Sequence, residues 1–278
     1  MLLKDLFKLM IPPGATVFDI GAFEGELSLF FAALTGKAGR VYSFEPHPEH
    51  FLALSMRACE EPCANVFPYC RAISASAGHQ VLFLAPDETA QSSSIMPELG
   101  TESRLGAGVR RCLVETDTVD GFSRSIGRIP DFIKIDTEGA ERLVLEGARR
   151  VIESSFPTLV FEGVFGFDAE RGAFPFGEAV PSHVAWLESI GYRICVVDVD
   201  YLISAWVSKE SRLYCTNYGL LSLTSAEFSR LPLTGCNLVA VHSSRRDMSE
   251  RLDAAVSDRL LDLMTRLGVP LDTASGLG

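Results

Sequence analysis

The sequence predicts an α/β fold, a parallel β-sheet with helices on both faces. Three observations carry this. Short apolar runs of strand length alternate with stretches whose apolar residues recur at helical spacing. The first run ends in a glycine turn, Asp19-Ile20-Gly21-Ala22-Phe23-Glu24-Gly25, that opens directly onto a helix. A later run, Phe132-Ile133-Lys134-Ile135-Asp136, repeats that strand-to-helix step and ends in acidic residues.

In chain order, Leu2 to Met10 predicts a short amphipathic helix stopped by Pro12-Pro13-Gly14. Thr16 to Ile20 is the first strand. From Glu24, the residues Leu27, Phe30, Phe31 and Leu34 define a helix that Gly36 and Gly39 end. Val41 to Glu45 is the second strand, and Pro48 opens a helix to Ala58, in the first turn, where its missing N–H is tolerated. Val66 to Cys70 is the third strand. Residues 78–116 then break the alternation: Gln80 to Leu84 and Val109 to Thr116 alternate like antiparallel strands, so this is an insertion after the third strand. Its serines, Ser92 to Ser94, read as turn residues. Phe132 to Asp136 leads into one helix with the apolar stripe Ala140, Val144, Gly147, Val151 and Ile152.

Pro157 to Glu162 is the fifth strand. The stretch 163–180 after it, carrying Phe165, Phe167, Phe174 and Phe176, reads as an aromatic lid or acceptor loop. A helix from Ser182 to Ile190 and strands from Tyr192 to Val197 and Asn237 to His242 complete the sheet. Leu252, Val256, Leu260, Leu263 and Leu267 space a last helix. The chain therefore divides into an N-terminal helix (1–13), a main domain (14–245) and a C-terminal helix and tail (246–278).

The 278 residues, 47% hydrophobic and 22% charged, have the composition of an ordinary globular protein. A net charge of −11 opposes binding to a polyanion, because Lys and Arg contacts to phosphate supply most nucleic-acid affinity. The seven cysteines form no Cys-x-x-Cys and the five histidines no His-x-x-x-His, so no metal is expected, a reducing compartment is, and most of the histidines read as incidental. No leader precedes a cleavage site and no apolar run is long enough to span a membrane. The expected location is the cytoplasm.

Gly21 and Gly25 let backbone approach a ligand closely. A dinucleotide fingerprint has Gly-x-Gly-x-x-Gly and seats a pyrophosphate on the helix N-terminus. This turn is Asp19-x-Gly21-x-x-x-Gly25. A carboxylate on Asp19 disfavours a pyrophosphate and suits the ammonium and sulfonium of S-adenosyl-L-methionine, so charge points to the sulfonium cofactor. Glu45, at the end of the second strand, can accept hydrogen bonds from both ribose hydroxyls. The expected cofactor-binding residues are Asp19, Gly21, Ala22, Gly25, Glu45 and Pro46, with Ala72 and Ile73 at the adenine edge.

Ligands of open α/β sheets bind outside the carboxyl ends of the strands, where this chain places Asp136, Thr137 and Glu138. Ionisable groups on a buried strand are rarely buried without a partner or a task. Asp136 and Lys134, with Glu162 beside them, are therefore the candidates for orienting or deprotonating an acceptor. Glu138 and Glu141 read first as acids favoured at a helix N-terminus. A metal-assisted variant would draw on Asp136, Glu138 and Glu162, but nothing in their spacing demands one.

The blocks Val17-Phe18-Asp19-Ile20-Gly21-Ala22, Phe44-Glu45-Pro46, Thr118-Val119-Asp120, Ile133-Lys134-Ile135-Asp136-Thr137-Glu138-Gly139-Ala140-Glu141 and Phe161-Glu162 resemble, in that order, the signature blocks of the FkbM family of S-adenosylmethionine-dependent methyltransferases. The resemblance runs from residue 15 to 165, with an echo at Asn237 to Val241. It implies a class I methyltransferase (Rossmann-like) sheet of seven strands with the last antiparallel, and S-adenosyl-L-methionine as cofactor. Family members are mostly O-methyltransferases of sugar hydroxyls on glycans and glycolipids or of polyketide-type products, so the expected partner is a small-molecule or glycan acceptor. Phe23 departs from the usual asparagine after Gly-Ala, and Val119 and Gly121 depart from the usual Leu-Asp-Asp block. Two rival expectations are N-methylation of a small amine or peptide and a cofactor-binding scaffold that does not catalyse.

Overall fold

A computed structural model describes residues 3–60, 65–86, 93–97, 107–163, 182–197, 220–223 and 236–258. The chain divides into two compact units, one of residues 10–162 and one of residues 1–9 with 163–278. After α1 (Leu3–Met10), the first unit runs β1 (Thr16–Ile20), α2 (Glu26–Thr35), β2 (Arg40–Phe44), α3 (Pro48–Glu60), β3 (Val66–Tyr69), β4 (Ala72–Ile73), β5 (Gly78–Leu84), β6 (Arg110–Asp117), α4 (Val119–Ile126), β7 (Phe132–Ile135), α5 (Glu141–Gly147), α6 (Arg149–Ser155) and β8 (Thr158–Gly163).

Five of these strands form a parallel sheet in the order β8-β7-β1-β2-β3. β1 and β7 are buried at every position, as strands covered on both faces should be. Fully buried Phe18 meets Tyr42, Phe44 and Phe122 edge to face at the centre of the core. The register sets Asp19 between Ser43 on β2 and Lys134 on β7, which brings two charged groups side by side inside the sheet.

The insertion is a separate three-stranded sheet in the order β4-β6-β5, with β5 and β6 antiparallel from Gly78↔Thr116 to Leu84↔Arg110. Its inner residues Leu82, Leu84 and Val114 pack with Ile95 and with Ala140 at the start of α5. The second unit contains α7 (Ser182–Ser189), β9 (Tyr192–Val196), β10 (Leu220–Leu223), β11 (Cys236–His242), α8 (Arg246–Ala255) and β12 (Val256–Asp258). There β9 pairs antiparallel with both β10 and β11, and β12 pairs parallel with β10. The seven strands expected outside the insertion all form within one residue of the expected bounds, in a mixed and mostly parallel α/β fold, and the two inserted strands form as well, the first beginning at Gly78 rather than Gln80.

Several elements differ from the sequence reading, among them the short strands β4 and β10, which it did not expect. The single helix expected from Ala140 to Ile152 is two helices broken at Ala148. Gly147 lies against the Ser74 carbonyl, where a Cβ would come within 2.1 Å, and the Asp120 carboxylate accepts the amides of Arg150 (3.0 Å) and Val151 (2.9 Å), capping the second helix from a distance. Helix α4 was not anticipated, although Thr118 caps it by accepting the Gly121 amide at 2.8 Å. Val256, expected inside the last helix, begins β12 instead because its backbone pairs with Leu220. The aromatic residues expected in the lid, and Leu260, Leu263 and Leu267, lie outside the described residues. Among the described residues, no helix is long and apolar enough to cross a membrane.

Candidate functional site

The sheet order reverses beside β1: the chain builds β1, β2 and β3 outward on one side, then crosses back to lay β7 on the other. Ligands of open α/β sheets bind at such a reversal, outside the carboxyl ends of the strands. A cavity of about 310 Å³ lies there, lined by the turn after β1 (Gly21, Ala22, Phe23), Glu45 and Pro46 after β2, Arg71, Ala72 and Ile73, the inserted Ser93 and Ile95, and Lys134, Asp136, Thr137 and Glu138 at the end of β7.

The turn after β1 requires glycine at its first bend. Gly21 has φ 76°, and a Cβ there would sit 1.7 Å from the Asp136 carbonyl oxygen. Its amide and that of Ala22 both donate to the Phe44 carbonyl at 3.0 Å, fixing the turn to the end of β2.

Glu45 is 7% exposed and accepts the Phe23 amide on one oxygen and the His47 amide on the other, each at 2.8 Å. Each carboxylate oxygen keeps a further lone pair, so the group can still grip a vicinal diol. Burial pushes its pKa up to about 7, against the pull of the two amides. His50 lies 4.0 Å from the same carboxylate, stacks on His47 and meets the Phe23 ring edge to face. Burial, then His47, lowers the His50 pKa to about 4, so the ring is neutral at physiological pH. Reading the histidines as incidental missed His50, which lines the cavity. The available signal was that His47 and His50 follow Glu45-Pro46 at a helix start.

Lys134 ties the two sides of the crevice together. Its ammonium donates to the Gly21 carbonyl at 2.8 Å and lies 3.3 Å from Asp136 Oδ2 and 3.6 Å from Asp19 Oδ1. Burial alone would lower its pKa, but Asp136 and Asp19 outweigh that and hold it above the ordinary value. Asp19 is 0% exposed, accepts the Ser28 hydroxyl at 2.6 Å, and is not among the residues that line the cavity. The structure thus places Asp19 beneath the turn, next to Lys134, rather than on the cavity wall. Gly25 does not line the cavity either. Its φ of 87° opens α2, and a Cβ there would strike the Leu54 side chain at 2.4 Å.

At the end of β7 and β8, the carboxylates of Asp136, Glu138 and Glu162 converge, one oxygen of each lying within 4.8 Å of the others. Glu162 is not itself a lining residue but stands in contact range of two that are. Burial first, then the charges of Asp136, Glu138 and Glu141, push its pKa up to about 8. Such a set of oxygens suits a shared proton or a hard divalent cation. Glu141 plays the structural part expected of it: one oxygen accepts the Thr137 amide (2.8 Å), the Thr137 hydroxyl (3.0 Å) and the Gly139 amide (3.2 Å).

Because Glu45 and Glu162 titrate higher in the folded chain than an ordinary carboxyl, the folded state keeps protons that the unfolded chain has lost. Stability then falls as pH rises through the folded values. His50 acts in the opposite sense, but only below its ordinary value of 6.5. From about pH 6.5 to 8, thermal unfolding in chelator-treated buffer is expected to move to lower temperature, and Glu162→Gln to flatten that slope. A melting temperature that rises across this range overturns the assignment.

The profile of the FkbM methyltransferase domain matches residues 19–194. No curated protein matches the chain. Among solved structures, the methyltransferase FkbM of Methylobacillus flagellatus is 21% identical over 53% of this chain and 32% of that one, with a TM-score of 0.37. A putative rRNA methylase of Clostridium thermocellum is 10% identical over 86% of this chain and 92% of that one, with a TM-score of 0.46. Fibrillarin of Aeropyrum pernix, solved with S-adenosyl-L-methionine bound, is 13% identical over 86% and 71%, with a TM-score of 0.43. The chain spans about a third of the length of the Methylobacillus protein. The domain match covers well over half of the chain, from Asp19 beneath the first turn of the cavity to Ile194 on β9. By that match the chain belongs to the FkbM family of S-adenosylmethionine-dependent methyltransferases.

Proposed function

We propose that the protein transfers a methyl group from S-adenosyl-L-methionine to a hydroxyl of a sugar, glycolipid or natural-product acceptor, in the cytoplasm. One observation carries the choice of oxygen: Asp136, held by Lys134 at 3.3 Å, and Glu162 converge at the end of the cavity where β7 opens. A hydroxyl must lose a proton as it attacks, and a carboxylate there can take it, whereas a neutral amine needs no such base. The free thiols of Cys59, Cys70, Cys112 and Cys195 fit a reducing compartment.

The residues present suit this cofactor. Glu45 offers its remaining lone pairs to the ribose hydroxyls, Ala72 and Ile73 offer apolar surface to the adenine beside Arg71, and the acidic end of the cavity complements the ammonium and sulfonium. The cofactor, when bound, supplies a methyl carbon made electrophilic by the positive sulfur. Gly21 and Ala22 shape the turn, and Lys134 keeps that turn and Asp136 in register. Asp136 accepts the acceptor's proton, while Glu162, which holds its own proton to high pH, spares Asp136 a second full negative charge beside it.

Glu45→Ala is expected to weaken S-adenosylhomocysteine binding by about tenfold or more, since two hydroxyls lose a charged acceptor. Calorimetry on the folded variant checks this, and unchanged affinity removes the ribose assignment. The function is tested by S-adenosylhomocysteine release over a panel of polyols, glycosides and phenols, with amines alongside. Turnover on a hydroxyl acceptor supports the reading. Turnover on amines alone replaces it with N-methylation, and cofactor binding without turnover on any acceptor favours a scaffold.

A further inference from the structure

The third carboxylate of the cluster depends on unusual backbone. Glu138 has φ 53°, in the left-handed region that side chains disfavour, and Gly139 follows at φ 100°. Two groups pin this turn. From the helix side, Glu141 accepts the amides of Thr137 and Gly139. From the insertion, the Ser94 hydroxyl donates to the Glu138 carbonyl at 2.7 Å and accepts the Met96 amide at 3.2 Å. Ser94 is itself held: it is 1% exposed and pairs with Phe83 of β5 in both directions, at 2.9 and 3.1 Å. Its neighbours Ser93 and Ile95 line the cavity. Like a turn serine this hydroxyl accepts an amide two residues on, but it donates its own proton to a residue 44 positions away.

We propose that Ser94 is a positioning residue: through the Glu138 carbonyl it maintains the left-handed turn that keeps the Glu138 carboxylate with Asp136 and Glu162, and so sets the negative field offered to the positively charged methyl donor. This rests on reading the cavity as the S-adenosyl-L-methionine site with those carboxylates at its donor end. The inserted sheet then contributes to the donor end through a main-chain contact rather than through a catalytic side chain of its own.

S-adenosyl-L-methionine carries a sulfonium where S-adenosylhomocysteine carries a neutral thioether. A nearby negative charge favours the first over the second, so the ratio of their affinities reads the field at the sulfur. General loosening of the site weakens both alike and leaves the ratio where it was.

The experiment is calorimetry with both compounds at neutral pH in chelator-treated buffer, on wild type, Ser94→Ala, Glu138→Gln and the double variant. Glu138→Gln is expected to lower the preference for the sulfonium by roughly three- to tenfold. Ser94→Ala is expected to lower it in the same direction, and the double variant to go no further than Glu138→Gln, because Ser94 acts through Glu138. Ser94→Cys, close in size with a weaker donor, is expected to fall between wild type and alanine and keeps the test open should alanine not fold. A shifted ratio in Glu138→Gln with an unshifted one in the Ser94 variants overturns the role of Ser94 alone, as does an equal loss for both compounds. An unshifted ratio in Glu138→Gln overturns the donor-end reading of the carboxylates, and this proposal with it.

Discussion

Lys134→Met is expected to destabilise the protein by about 3–5 kcal/mol, because it removes the cation beside a carboxylate sealed inside the sheet. Asp19 is 0% exposed, and one of its oxygens has the Ser28 hydroxyl while the other faces Lys134 at 3.6 Å. Without the ammonium, that second oxygen keeps a buried charge with nothing to offset it. The variant can relieve this only by protonating Asp19, whose pKa burial already holds above the ordinary carboxyl value. The deficit should therefore narrow as pH falls, since a folded-state pKa above the unfolded one favours folding on the acid side. Adding Asp19→Asn to Lys134→Met should recover much of the loss, the sign that the cost lies in the stranded charge rather than in lost packing. Denaturant unfolding of the single and double variants measures both. A single variant within 1 kcal/mol of wild type would remove Lys134 as the tie between the glycine turn and β7.

What the sequence made legible follows from how local each signal is. The strands show as apolar runs because both their faces are buried, and Glu45 shows because its place at a strand end is a matter of counting along the chain. The Asp19–Lys134 pair does not show, since it depends on β1 and β7 lying side by side in one register, across more than a hundred residues. The grouping of Asp136 with Glu162 does show, since each ends a predicted strand at the same edge of the sheet, and the register that pairs Ile135 with Phe161 brings them together. Glu138 joins them only through a positive φ, which glutamate gives no reason to expect. The break at Ala148 is likewise made by a carboxylate from elsewhere, Asp120, and the hold on Glu138 by a serine in what reads as a turn. Long-range pairing, rather than local propensity, decides which of the acids meet.

Asp136→Asn is expected to leave the fold and most of the S-adenosylhomocysteine affinity in place while lowering turnover on a confirmed hydroxyl acceptor by at least about 100-fold. Asparagine is nearly isosteric and can still accept from the Lys134 ammonium, so the tie to the Gly21 carbonyl survives. What it loses is the capacity to hold a proton. The bland alternative is that Asp136 serves as a helix cap, which asparagine would replace well. The geometry favours the first role: the Thr137 and Gly139 amides ahead of α5 are taken by Glu141, and Asp136 lines the cavity instead. Glu162 provides a second check. With Asp136 neutral, one of the charges that raise its pKa is gone, so Glu162 should ionise at lower pH, and any residual turnover through it should extend further to the acid side. A folded, cofactor-binding Asp136→Asn with near-normal turnover and an unmoved pH profile would take Asp136 out of the proton-transfer step, leaving Glu162 as the group to substitute next.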